Sequence, residues 1–201
     1  MNPGTAHLID DDEAIRDALC WLLRSRQIEA RAWESAETFL ADYDQKMRGC
    51  LVLDIRMLAM SGLELFDRLL QIGCTMPVIF LTGHGDVPLA VNAIKKGAFD
   101  FVEKPFNDND LADRVIAALA ADGDRWRHKD RQDDIESRRR LLTTREREVM
   151  ERVLAGKLNK VIADELNIAM RTVEVHRAHV FEKMGVRSAV ELARLLSGVE
   201  A

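Results

Sequence analysis

The stretch Cys50-Leu51-Val52-Leu53-Asp54-Ile55-Arg56-Met57 decides how the chain is read. Four apolar residues, enough for a buried parallel strand, run straight into one carboxylate. In an open parallel sheet, ligands gather at the carboxyl ends of the strands, so Asp54 stands where chemistry is expected. Outward from it, Thr5 to Ile9, Ile28 to Trp33, Val78 to Leu81 and Phe99 to Val102 are further short runs with apolar or β-branched weight. Helical patterns separate them: Ile15, Ala18, Leu19, Leu22 and Leu23 share one face, as do Leu63, Leu65, Phe66, Leu69 and Leu70, and Val91, Ala93 and Ile94. Five βα units within residues 1–121 predict an α/β domain, a doubly wound parallel sheet with helices on both faces.

The other strand ends carry polar groups as well. The first runs into Asp10-Asp11-Asp12, the fourth into Thr82-Gly83, and the fifth into Glu103-Lys104-Pro105-Phe106. Each alone is ordinary, since carboxylates commonly cap helix N-termini and Lys-Pro is a common turn. Together they place carboxylates, a hydroxyl and an ammonium around one pocket. Hard oxygen ligands suit Mg²⁺, and a carboxylate can act as a nucleophile toward phosphorus while a lysine neutralises the transferring group.

Composition bounds the alternatives. Of 29 Lys plus Arg and 34 Asp plus Glu, residues 1–121 hold 12 and 19, so the front is acidic, while residues 142–201 hold 10 and 9. That split implies different partners for the two halves, although the basic excess is too small to establish nucleic-acid binding. No apolar run approaches the roughly 20 residues that span a bilayer, and no basic-then-apolar leader opens the chain. A soluble, cytoplasmic protein with no membrane partner is the expectation. Cys20, Cys50 and Cys74 lie within apolar patterns and lack metal-knuckle spacing, so they read as reduced core residues.

Asp10-Asp11, Asp54, Thr82 and Lys104-Pro105-Phe106 together resemble the receiver domain of two-component response regulators, over residues 1–121. The resemblance implies a flavodoxin-like five-stranded sheet of order 2-1-3-4-5. It implies phosphorylation of Asp54 by a sensor histidine kinase, with Mg²⁺ held by Asp10, Asp11, Asp54 and the main-chain carbonyl of Arg56. Lys104 would bind the phosphoryl group, Thr82 would move toward it, Phe101 would be the aromatic switch, and Lys104-Pro105 would be cis. One departure lies beside the phosphoacceptor. The family's loop usually reads Met-Pro-x-Met-Ser/Asp-Gly, whereas this chain has Leu58 in Met57-Leu58-Ala59-Met60-Ser61-Gly62, and losing the fixed φ loosens that loop.

Residues 122–140 are dense in charge and read as a linker, either flexible or helical. The helix is favoured because proline is absent and Asp134 and Arg138 fall at i,i+4. Trp126 and Ile135 would form a thin apolar contact, and Arg138 to Arg140 read as a solvated face or a phosphate-contacting cluster. A small all-α unit then occupies residues 141–201. Thr143 and Glu146 form a capping box. A short helix opens at Asn159, a longer one spans Met170 to Met184 and stops at Gly185, and Ser188 caps the last. Two short helices joined by a tight turn within a four-helix unit predict helix-turn-helix. In the longer helix Val173, Val180 and Met184 face inward while Arg171, Val175, Ala178 and Glu182, flanked by Glu174, face out. Arginine can address guanine and a small apolar side chain a thymine methyl. Arg177 falls near the buried edge, where it reaches a phosphate or packs.

Leu142-Thr143-Thr144-Arg145-Glu146-Arg147-Glu148-Val149, Asn159-Lys160 and Arg171-Thr172-Val173-Glu174-Val175-His176-Arg177 resemble the LuxR-type DNA-binding domain. Joined to a receiver, the chain resembles the NarL/FixJ family, nearest in wording to its FixJ branch. This implies DNA contacts from Lys160, Arg171, Thr172, Glu174, Val175, Arg177 and Ala178, and dimeric binding to promoter DNA. A phosphorylation-controlled transcription regulator is thus expected, not an enzyme beyond the receiver's own phosphoryl transfer and dephosphorylation, with RNA polymerase as a further partner. Ala169-Met170 replaces the family's usual Ser-Pro, so the recognition helix lacks its side-chain cap unless Asn167 supplies one. A phosphohydrolase of the haloacid dehalogenase class is disfavoured, because its second Asp would stand where this chain has Arg56. A phosphorylated interaction module that does not bind DNA is disfavoured by residues 141–197.

Overall fold

A computed structural model describes residues 4–83 and 87–197. Within it the chain divides into two compact units, residues 1–126 and 127–201.

In the first unit, β1 (Thr5–Ile9), β2 (Ala30–Trp33), β3 (Gly49–Asp54), β4 (Val78–Thr82) and β5 (Asp100–Glu103) form an all-parallel sheet of order β2-β1-β3-β4-β5. Between them run α1 (Glu13–Ser25), α2 (Ala36–Asp42), α3 (Gly62–Gln71) and α4 (Val87–Lys95). Every residue of β3 is buried, as a central strand covered on both faces requires. One core packs Phe39, Leu51, Leu53, Phe66 and Phe80 on one side of the sheet; the other packs Leu8, Leu23, Val52, Ile79 and Val115 on the opposite side. Alternate residues of β3 serve the two cores, as strand geometry dictates. The second strand is shorter than its apolar run, because Gln27 takes a positive φ of 60° and Ile28 bonds back to Leu23. On α4 only Ala93 of the three expected core residues is buried; Val91 and Ile94 are exposed.

Helix α5 spans Asp108–Arg140, so the charged stretch is helical throughout. Asp122, the first residue of the expected linker, is fully buried, and its carboxylate accepts the Gly49 N–H at 3.0 Å. The Trp126 ring lies under the Arg48 guanidinium, 5.1 Å away, whereas Ile135 packs on the core of the second unit.

The second unit adds α6 (Thr144–Leu154), α7 (Asn159–Leu166), α8 (Met170–Met184) and α9 (Ala189–Ser197). Its core gathers Val149, Val153, Ile162, Leu166, Val173, Val180, Met184 and Leu192. The expected capping box of Thr143 and Glu146 is formed, and Gly185 closes α8 with φ 68°. Among the described residues, no helix is long and apolar enough to cross a membrane.

Candidate functional site

Parallel register builds the first site. Ile9 is level with Leu53, and Asp54 with Leu81, so Asp10, Asp54 and Thr82 emerge together on one edge. The Lys104 N–H donates to the Thr82 carbonyl at 2.7 Å and brings the chain after β5 to the same edge. The Lys104-Pro105 bond that follows is cis. There the Lys104 ammonium lies 2.6 Å from Asp54 Oδ1 and 3.0 Å from Asp10 Oδ2, bridging two buried carboxylates.

Burial pushes the Asp54 carboxyl above its ordinary range, and the nearby Asp10 charge adds to this; the Lys104 hydrogen bond and charge and the Arg56 N–H pull the other way without cancelling the rise. Burial draws the Lys104 ammonium down, yet its two carboxylate partners more than offset this and hold it above the usual lysine value. The result is a poorly solvated carboxylate with a fixed counter-charge, the condition for a nucleophile whose product gains negative charge.

The three successive acids divide their work. Asp10 takes Lys104 and the Asp12 N–H. Asp12 caps α1 through the Ala14 and Ile15 N–H groups. Asp11 is exposed and turns to the loop beyond Asp54, where its Oδ2 accepts the Leu58 N–H at 2.9 Å. Thr82 is wholly buried and its hydroxyl donates to the Val102 carbonyl at 3.4 Å. Phe101 is half-buried against the core, and the Arg56 side chain is exposed. The loop is closed by two contacts that sequence reading passed over. The Gly62 N–H donates to the Ile55 carbonyl at 3.0 Å, and Ser61 and Glu64 form a capping box that Ser-x-x-Glu spacing could have announced.

In the second unit the outer face of α8 is as the wheel predicts: Arg171, Val175, Ala178 and Glu182, with Glu174 beside them, are exposed; Thr172 and, on α7, Lys160 are exposed as well. Arg177 is half-buried, with its guanidinium 5.5 Å from the Phe181 ring centre, so it packs along its own helix. No side chain caps α8, whose N-cap is Ala169; Asn167 instead ends α7 in the left-handed conformation, at φ 51°. Arg138 is used structurally: paired with Asp134 at 2.8 Å, it donates to the Met184 carbonyl at 2.9 Å and caps the C-terminus of α8. Glu146, His176 and His179 offer donor atoms within 4.8 Å of one another, but Lys183 already sits 2.7 Å from the Glu146 carboxylate and supplies the positive charge there. Cys50 is buried and its thiol is pushed up to about 12 by that burial, which makes it a core residue without thiolate reactivity.

Known proteins share this architecture. Residues 6–116 match the response regulator receiver domain, and residues 140–196 match the bacterial regulatory proteins of the luxR family. The C4-dicarboxylate transport transcriptional regulatory protein DctR of Rhodobacter capsulatus is 50% identical over 193 residues, covering 95% of this chain and 98% of that protein. The transcriptional regulatory protein FixJ of Azorhizobium caulinodans is 46% identical over 195 residues, covering 96% of this chain and 92% of its own. Among solved structures, the response regulator StyR superposes with a TM-score of 0.90 at 40% identity, covering 97% of this chain and 98% of that one. With a sheet of receiver order, a lysine-bridged acid pair at its carboxyl edge and a helix-turn-helix unit later in the chain, the chain belongs to the NarL/FixJ family of two-component response regulators, transcription regulators that join a receiver to a LuxR-type DNA-binding domain.

Proposed function

We propose that Asp54 is the phosphoacceptor and that its phosphorylation controls binding of the second unit to promoter DNA. The observation that carries this is the Lys104 ammonium bridging buried Asp54 and Asp10 at the carboxyl edge of the sheet. An Asp54 carboxylate oxygen attacks the phosphorus of a sensor kinase's phosphohistidine, whose ring is protonated on its other nitrogen; a P–O bond forms, the P–N bond breaks with its electron pair passing to the ring, and the imidazole leaves neutral. Lys104 moves from pairing the carboxylate to pairing the phosphoryl oxygens. The donor chemistry suits Mg²⁺, since one lysine leaves the acidic group with uncompensated negative charge and hard oxygen donors. Asp10, Asp11, Asp54 and the Arg56 carbonyl would hold the ion, which neutralises phosphoryl charge when bound. Thr82 exchanges its Val102 partner for a phosphoryl oxygen, Phe101 follows, and the receiver pairs with a second copy. Exposed Leu89, Val91 and Ile94 on α4, with Phe99 just before β5, supply apolar surface for that pairing.

Incubation with a small phosphodonor and Mg²⁺ is expected to label the protein on Asp54, and Asp54→Asn to abolish the label. Undiminished labelling of the variant would overturn the assignment. In the second unit, exposed Lys160 contacts phosphate and the α8 face enters the major groove through Arg171, Thr172, Glu174, Val175 and Ala178. Lys160→Ala is therefore expected to weaken all DNA sequences alike and to lower the salt slope by about 1. A gel-shift titration at several salt concentrations measures both, and a change in base preference alone would contradict a phosphate role. RNA polymerase is the further partner of the DNA-bound regulator.

A further inference from the structure

The loop after Asp54 departs from the family pattern at one position, and that position contacts the acidic run. The Leu58 side chain is 79% exposed, so packing does not explain it. Its backbone does bind something: the N–H reaches Asp11 Oδ2 at 2.9 Å. Proline, which the receiver pattern places here, has no N–H and cannot make this bond. The turn itself would accept proline, because Ala59 follows with φ 61°, the backbone of a turn that favours proline one residue earlier. The hydrogen bond is thus a product of the substitution and not of a different loop shape.

Its target matters, since each neighbouring acid is otherwise engaged. Asp10 is held by Lys104, and Asp12 caps α1. Asp11 is tied to the loop, and the described donor groups that converge within 4.8 Å of one another do not include it with Asp10 and Asp54. We infer that the Leu58 N–H is a latch on Asp11, which a divalent cation must release before Asp11 can join Asp10 and Asp54. Leu58 is then a positioning residue, and it sets the cation affinity of this receiver lower than a prolyl loop would. This rests on the phosphoacceptor reading above. A hydrogen bond to a carboxylate is stronger than one between neutral groups, but Asp11 is exposed and water competes for it.

Calorimetric titration of the full chain with Mg²⁺ tests the latch. Leu58→Pro is expected to bind Mg²⁺ roughly three- to tenfold more tightly than the parent, the equivalent of one modest hydrogen bond. Leu58→Ala, which keeps the N–H and loses the side chain, should match the parent. Equal affinities in all three proteins, or weaker binding by Leu58→Pro, would overturn the latch while leaving the metal site standing. If the parent itself shows no Mg²⁺ binding, the metal-dependent reading of the pocket falls, and the latch with it. Should Leu58→Pro fail to fold, hydrogen exchange at the Leu58 amide of the parent decides: protection lost on adding Mg²⁺ supports the latch, and unchanged protection overturns it.

Discussion

Gly62→Ala is expected to destabilise the first unit by about 3 kcal/mol or more, although alanine is the better helix former. Gly62 opens α3 directly behind the candidate phosphoacceptor. A Cβ placed there would lie 2.1 Å from the Asp54 carbonyl oxygen and 3.1 Å from Leu53 Cγ. The first of these is strand backbone in the centre of a buried sheet, so it cannot turn aside as a flexible side chain would. Either α3 lifts from the sheet, breaking the bond from the Gly62 N–H to the Ile55 carbonyl, or the end of β3 moves and takes Asp54 with it. Thermal unfolding followed by the fluorescence of buried Trp33 measures the loss. Gly73→Ala is the control: no atom lies within 4 Å of its Cβ, and its cost comes only from a φ of 76°, worth about 1 kcal/mol. A smaller loss at Gly62 than at Gly73 would mean that the close approach does not govern stability.

Glu146→Ala is expected to remove about 3 kcal/mol from the second unit at neutral pH. This carboxylate is buried, accepts the Thr143 N–H at 2.8 Å and the Lys183 ammonium at 2.7 Å, and so ties the start of α6 to the end of α8. Burial alone would raise its carboxyl, but Lys183 and the backbone and hydroxyl of Thr143 outweigh that and hold it at about 2. The folded value lies below the unfolded one. The stabilisation is therefore complete above about pH 4.5 and is lost as pH falls toward 2. Urea unfolding of parent and variant should show their difference shrinking across that window. A difference that stayed constant down to pH 2 would assign the loss to packing and capping rather than to the charge pair.

The features legible in the sequence are those whose cause is local. Four apolar residues before Asp54 announce a buried strand, Thr143 and Glu146 announce a capped helix, and Gly185 announces its end, since each effect acts within a turn or two of the chain. The Lys104 bridge was legible for another reason: parallel strands all deliver their carboxyl ends to one edge, so topology alone converges Asp10, Asp54, Thr82 and Lys104. What stayed hidden joins distant residues through backbone atoms, which no periodicity records. The Leu58 N–H meets Asp11 across 47 residues, and the Arg138 guanidinium meets the Met184 carbonyl across 46. Arg138 carries a further lesson. In a run of three arginines it looked like part of a charged surface, yet the left-handed Gly185 leaves room for its guanidinium, which a Cβ there would approach to 2.6 Å.

Asp122 bears on where the molecule can be cut. Hydropathy places the end of the first unit at residue 121, the last before the charges begin. The carboxylate one residue later is sealed in the interior, where it occupies the amide of Gly49 at the foot of the central strand and lies 3.7 Å from Arg48 Nε. Gly49 cannot be rebuilt to compensate, because its φ of 126° and the Thr5 carbonyl, 1.9 Å from any Cβ, admit only glycine. A receiver fragment trimmed at 121 would therefore open the strand's entry to water and strip Arg48 of both its carboxylate and the Trp126 ring. One that runs through residue 126 keeps that plug in place, and is the piece to prepare for testing the proposed phosphoryl transfer in isolation.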